Sequence, residues 1–92
     1  MANQGNGGMT INVKFFSLIR EAVETEELIL DFVPEISTVA GLKSMLGDRG
    51  EIWSEALSHP NLIQAVNQRV VFQEEVVSDG DEVAFFPPMT GG

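Results

Sequence analysis

The stretch from Thr38 to Leu46 repeats its apolar residues at helical spacing: Val39, Leu42, Met45 and Leu46 fall three and four apart and draw one stripe. Thr38, just after the Pro34 loop, is placed to cap the helix, and Gly47 or Gly50 to end it. Gly41 sits in the first turn and reads as a weak point, since glycine disfavours helix interiors. One stripe of this length means one main helix, which must bury that stripe against a sheet.

The sheet is legible on both sides of it. Thr10 to Leu18 reads as a first strand, with Ile11, Val13 and Phe15 on the core face and Asn12, Lys14 and Phe16 on the other. Ser17 to Val23 can form a turn of helix carrying Arg20 and Glu21. Glu26 to Phe32 reads as a second strand, antiparallel to the first, with Leu28, Leu30 and Phe32 inward or, one residue out of phase, Ile29. After the main helix, Glu51 to Leu57 reads as a short helix with Ile52, Trp53 and Leu57 as its apolar residues. Leu62 to Asn67 and Val70 to Phe72 are strands about the turn Asn67-Gln68-Arg69, Glu74 to Ser78 is a loop, and Val83 to Phe86 is the last strand. The order β-β-α-β-β-β gives an α+β class.

The end of the chain has its own grammar. Asp79-Gly80-Asp81 is turn chemistry. Pro87 and Pro88 lack the N–H that a ladder needs, so the sheet ends before them. Six residues, Pro87 to Gly92, then form an uncharged tail able to reach about 20 Å when extended. Gly91 and Gly92 carry no Cβ and fit a channel too narrow for other residues.

Composition sets the exclusions. Ninety-two residues make one domain with a modest core. No apolar run has the length of a membrane span and no stretch has a signal-peptide layout, so a cytoplasmic protein is expected. Fourteen acidic against five basic residues give a formal charge of −9, which opposes nucleic acid and anionic membranes and favours a partner with a basic face. There is no cysteine, which excludes disulfides, thiolate metal sites and a persulfide on the chain itself. No metal site is expected: Glu74, Glu75, Asp79, Asp81 and Glu82 lack the spacing of a calcium loop and read as a solvated acidic edge. His59, in a His-Pro-Asn turn, has no nucleophile or carboxylate spaced around it and reads as an ordinary loop residue. Met1 to Gly8 is polar and glycine-rich and is expected to be disordered, an expression remnant or natural extension ahead of a second start at Met9.

Asp79 to Gly92 resembles, almost letter for letter, the end of the molybdopterin synthase small-subunit family, which are ubiquitin-like sulfur carriers. Phe15-Phe16, Arg20-Glu21 and Val66-Asn67-Gln68 match that family at the expected spacing, and the resemblance runs from Met9 to Gly92. It implies a β-grasp (ubiquitin-like) fold, with a mixed sheet packed on one main helix and the first and last strands parallel at its centre. The implied organisation is an extension over residues 1–8, a β-grasp domain over 9–86 and a flexible tail over 87–92. Under that pairing Phe86 lies near Phe16 on the outward sheet face, where Val70 can join them, and an open apolar patch marks a binding surface. The implied interface with a partner is Phe16, Arg20, Val70 and Phe86.

The resemblance also implies a chemistry. An E1-like adenylyltransferase would use ATP to activate the Gly92 carboxylate, which becomes a thiocarboxylate. Pro87, Pro88, Met89, Thr90 and Gly91 would thread this end into the synthase large subunit, within a heterotetramer, to pass sulfur to cyclic pyranopterin monophosphate. No cofactor is expected on the chain itself, and the catalytic pocket is expected in the large subunit. Four other readings compete. A thiamine-pathway sulfur carrier shares the fold and the Gly-Gly end but generally lacks the Phe-Phe-Pro-Pro run. A protein-conjugating modifier more often has a basic tail. A non-catalytic adaptor would use the Phe16/Phe86 face with an inert tail. An independent enzyme is least supported, because no nucleophile–base pair appears.

Overall fold

The computed structural model describes residues 9–88; the readings made for residues 1–8 and for Met89 to Gly92 lie outside them. Strands β1 (Thr10–Phe15), β2 (Glu27–Asp31), β3 (Ile63–Val66), β4 (Arg69–Val71) and β5 (Glu82–Phe86) form one sheet in the order β2-β1-β5-β3-β4. β1 and β5 run parallel, with Phe15 opposite Phe85, and the other three pairings are antiparallel. Helices α1 (Ser17–Val23), α2 (Val39–Gly47) and α3 (Glu51–Leu57) complete the α+β architecture. The parallel central pair and the crossover it demands match the β-grasp arrangement.

Alternation decides the core. Ile11, Val13 and Phe15 from β1 and Val83 and Phe85 from β5 are buried against Val39, Leu42 and Leu46 of α2. Phe15 anchors the cluster: its ring lies 6.0 Å from Phe85, stacked, and 5.4 Å from Trp53, edge to face. Such pairs contribute about 0.5–1.5 kcal/mol beyond the area they bury. In β2, Leu28 and Leu30 pack on this core while Ile29 is exposed, so the in-phase reading of that strand holds.

β1 is shorter than its sequence reads. It stops at Phe15 rather than Leu18, because Ser17 turns into the left-handed region with φ 54° and starts α1. The last ladder bond is Phe16 N–H to the Phe85 carbonyl, 3.1 Å, after which the Phe16 carbonyl accepts from Ile19 N–H at 3.1 Å. Leu18 follows Phe16 at the same phase and extends the apolar run on paper, yet beyond Phe16 no neighbouring strand remains to pair with. The second hairpin strand likewise spans Arg69–Val71, leaving Phe72 outside it and exposed.

Two buried residues come from segments that read as loop. Ile36, in a 3-10 turn over Pro34–Ile36, and Val77 are both fully buried. Val77 N–H donates to the Ser37 carbonyl at 2.9 Å, and Thr38 and Val76 form an isolated antiparallel bridge. This strap seals the entrance to α2, whose N-cap is Thr38 as read: Oγ1 accepts from Gly41 N–H at 3.1 Å.

Gly41 is a requirement rather than a weakness. A Cβ at that position would run into the backbone carbonyl oxygen of Glu35, which cannot swing aside as a side chain would. Gly41→Ala gains about 1 kcal/mol of helix propensity. The overpacking against backbone typically costs about 1–3 kcal/mol and wins. Since each kcal/mol moves a domain of this size by about 4–8 °C, thermal denaturation is expected to show a clearly lowered midpoint for Gly41→Ala. A raised midpoint would show that the Pro34–Ile36 turn yields.

The acidic turn is tied into the fold. Asn67 and Gln68 make a two-residue hairpin turn with φ 52° and 69°, as an I′ turn needs. The Asn67 side chain then reaches β5: its Nδ2 donates to Asp81 Oδ1 at 2.9 Å and its Oδ1 accepts from Glu82 N–H at 3.0 Å. Asp81 Oδ2 also accepts from Ser78 N–H, 2.8 Å, and Asp79 Oδ1 from Thr10 N–H, 3.1 Å. Glu75 and Glu82 pair with Arg69 and Lys14. What reads as a solvated acidic edge is thus, at four of its five residues, engaged in holding turns and strands.

Candidate functional site

On the outward face of the sheet the chain builds a groove at the root of its tail. The outward set is Lys14 and Phe16 from the β1 side, Glu82, Ala84 and Phe86 from β5, Ala65 from β3 and Val70 from β4. Ala84 and Ala65 face each other across the ladder. With only methyl groups at both positions the floor stays low. The Phe16 and Phe86 rings stack in parallel with centroids 4.7 Å apart and planes 5° from alignment, forming one wall. Val70, on the sheet edge and 70% exposed, forms the other. The result is a hollow of about 310 Å³ with Phe86, the last residue of β5, in its lining.

The groove is apolar within and charged at one end. Lys14 Nζ lies 3.6 Å from Glu82 Oε1 across β1 and β5. A half-exposed pair of this kind stabilises by about 0–1 kcal/mol at most, so its effect is to keep a cation and an anion fixed at the rim. Phe16 is 36% exposed even though its ring stacks on Phe86, which leaves aromatic surface for a partner. The strand-to-helix break presents it: Phe16 is the last residue in extended geometry, and Ser17 turns the backbone away behind it.

Of the residues singled out in the sequence, Phe16, Phe86 and Val70 are gathered in this groove. Arg20 is not. It is exposed on α1 and borders a separate hollow with Lys14, Glu26 and Glu27, on the other side of Phe16. Pro87 and Pro88 follow β5 half-buried, while Met89, Thr90, Gly91 and Gly92 lie outside the described residues. Sequence reading missed the two floor alanines and the Lys14–Glu82 pair. Ala65 and Ala84 carried a signal, since both fall on outward positions where a soluble strand normally places polar residues. His59 stays local, its Nδ1 accepting from Asn61 N–H at 3.0 Å. Among the described residues no group of three or more histidine and carboxylate side chains gathers as a metal site would require, and no helix is long and apolar enough to cross a membrane.

Comparison with known proteins places this geometry. The ThiS family profile matches residues 13–92. The molybdopterin synthase sulfur carrier subunit of Escherichia coli is 43% identical over 89% of this chain and 99% of its own length. Among solved structures, the putative molybdopterin converting factor subunit 1 of Pyrococcus furiosus superposes with a TM-score of 0.71 at 25% identity, covering 88% of this chain and 99% of that one. A chain from the complex of subunits 1 and 2 of molybdopterin-converting factor from Helicobacter pylori gives a TM-score of 0.63 at 22% identity, over 91% and 100%. On these matches the chain belongs to the ThiS family, alongside the molybdopterin synthase sulfur carrier subunits.

Proposed function

We propose that this chain carries sulfur on its C-terminal carboxyl for molybdenum cofactor biosynthesis, as the small subunit of a cytoplasmic molybdopterin synthase. The observation that carries the reading is the apolar groove of Phe16, Phe86 and Val70 at the root of an uncharged tail ending in Gly91-Gly92, in a chain 43% identical to a molybdopterin synthase sulfur carrier subunit. The domain provides a rigid platform that a large subunit grips, and the tail provides the reacting atom.

A carboxylate cannot accept a nucleophile directly, because its leaving group would be oxide. An E1-like partner transfers AMP from ATP to the Gly92 carboxylate and releases pyrophosphate. A persulfide sulfur on a sulfur donor then attacks the acyl carbon and expels AMP, giving an acyl disulfide. A thiol reductant cleaves its S–S bond, supplying two electrons, and leaves –C(O)S⁻ on Gly92. That soft sulfur is the nucleophile passed on in the large subunit to cyclic pyranopterin monophosphate. The dithiolene of molybdopterin holds two sulfurs, so two charged carriers are consumed per product. The chain supplies no cysteine of its own to this sequence, consistent with sulfur held at the terminus. Pocket and proton-transferring groups belong to the large subunit, so this chain alone is not the catalyst.

Intact mass spectrometry after co-expression with an adenylating partner and a sulfur donor tests the reading. Exchange of –OH for –SH at Gly92 is expected to add about 16 Da, the change left once the acyl-adenylate has been opened by sulfur. An unchanged mass in the presence of an active donor system would refute it.

A further inference from the structure

The sheet has two outer edges, β2 on one side and β4 on the other, and they are not alike. β2 sets Glu27 and Asp31 on either side of Ile29, all three exposed. Two such strands paired antiparallel about Ile29 would set carboxylate directly against carboxylate, which is destabilising. Charge guards that edge. β4 has no such guard. Its one charged residue, Arg69, is tied back to Glu75 Oε2 at 3.2 Å, while Val70 and, just beyond the strand, Phe72 are 70% and 81% exposed. The backbone is open on the same side. The two-residue turn makes Val66 and Arg69 a hydrogen-bonded pair, so Ala65 and Val70 form the unbonded pair that follows. Val71 returns to the bonded phase, and its carbonyl faces β3, where Gln64 Nε2 also donates to it at 3.2 Å. The N–H and C=O of Val70 and the N–H of Phe72 therefore point off the sheet, and among the described residues no loop or helix supplies them a partner. The Phe72 carbonyl accepts from Glu75 N–H at 3.0 Å and keeps a second lone pair.

We infer that β4 is a self-pairing edge: in the free chain it pairs antiparallel with β4 of a second copy, about a two-fold axis at Val71. In that register Val70 stands opposite the partner's Phe72, and Phe72 opposite the partner's Val70. Each of these pairs exchanges both of its N–H···O=C bonds. The paired side chains are apolar and lie on the outward face, so pairing covers surface that each copy alone leaves exposed. The two Arg69 side chains fall at opposite ends of the ladder, roughly 14 Å apart at about 3.4 Å per residue, so no like charges meet. Phe72 of one copy thus comes to lie beside Val70 of the other, at the wall of the Phe16–Phe86 groove. Self-pairing and the seating of a large subunit then compete for Val70, a consequence that rests on the carrier reading above. The ladder is small beside the roughly 20–30 residues a side of a stable interface, so the pairing is weak and concentration-dependent.

Sedimentation equilibrium of the full chain tests this. Between about 10 µM and about 1 mM, the average mass is expected to rise from 10.0 kDa toward twice that value. Over the same range the amide protons of Val70 and Phe72 should move downfield in ¹H–¹⁵N spectra, as new hydrogen bonds require. Each copy carries a formal charge of −9, so raising salt from about 0.01 M to about 1 M, which shortens the Debye length from about 30 Å to about 3 Å, should strengthen the association. Phe72→Lys, at an exposed position, should fold normally and hold the mass at the monomer value throughout. Ile29→Lys on β2 should leave the rise unchanged. A chain that stays monomeric at about 1 mM in high salt would overturn the proposal. So would a dimer that survives Phe72→Lys, or one that forms while the Val70 and Phe72 amides stay put, because it would meet through another surface. Sulfur loading is not part of the measurement, so a monomeric result leaves the carrier reading standing, and an unloadable chain that still pairs removes only that reading.

Discussion

A chain ending at Gly91 is expected to lose sulfur transfer entirely while its thermal midpoint stays within about a degree of the full chain. The loss is complete because the reacting carboxyl is repositioned, not weakened. Removing one residue draws it back by about 3.3–3.6 Å along an extended tail. Misplacement by as little as 1 Å can cost about 100-fold in a positioned reaction, so a whole residue removes the productive geometry. The fold is spared because the sheet is complete at Phe86, and the described core contains no residue beyond Phe85. The measurement is molybdopterin formation by reconstituted synthase, with the melting curve of the same sample as control. Normal product formation from the shortened chain would rule out the terminal carbonyl as the sulfur site and favour an adaptor role for the groove.

The second large effect separates adjacent phenylalanines. Phe15→Ala and Phe85→Ala are expected to destabilise the fold by about 3–5 kcal/mol each, the usual cost of removing a buried aromatic ring. Both rings are fully buried and stack on one another beneath α2, so nothing nearby fills the void. At about 4–8 °C per kcal/mol, the midpoint should fall by well over 10 °C. Phe16→Ala and Phe86→Ala should lower it less, by about 2–12 °C on the same conversion, for the stacking contribution of about 0.5–1.5 kcal/mol. Their large effect should appear in binding. Covering one phenylalanine contributes roughly 1.5–3 kcal/mol, so the pair of substitutions should weaken association with the large subunit by at least tenfold. Calorimetric titration and thermal melts on the four variants decide the matter. Unweakened binding by Phe16→Ala and Phe86→Ala would move the interface off this groove.

These contrasts were legible before the structure because β1 and β5 each have one face buried by α2. Alternation then sorts Ile11, Val13 and Phe15 from Asn12, Lys14 and Phe16 without ambiguity, and a shift of one residue would bury a lysine. The gathering of Phe16, Phe86 and Val70 needed more than alternation: it followed from the parallel pairing of first and last strands that the family resemblance implied. What escaped was tertiary in origin. Ile36 and Val77 are buried by a strap that leans on α2, and one or two apolar residues in a polar loop are too few to show a period. Gly41 looked like a propensity cost because the Glu35 carbonyl that demands it comes from outside the helix. Gln64, polar by type, sits in the inward phase of β3, and only the finished fold shows its oxygen enclosed. The strand ends erred for a related reason: apolar residues recur as far as Leu18, but a strand lasts only as long as its neighbours.

The carboxamide of Asn67 also sets a zero mark. By holding Asp81 and Glu82 through both of its ends, it fixes where β5 begins, and with it how many residues the sheet consumes before the tail is released. A slip of one residue would lengthen or shorten the free segment by about 3.4 Å and exchange Phe85 for Phe86 at the core. Under the proposed carrier function, in which the terminal carboxyl reacts, the side chain of Asn67 would meter reach as a stop meters a plunger, from the opposite end of the sheet.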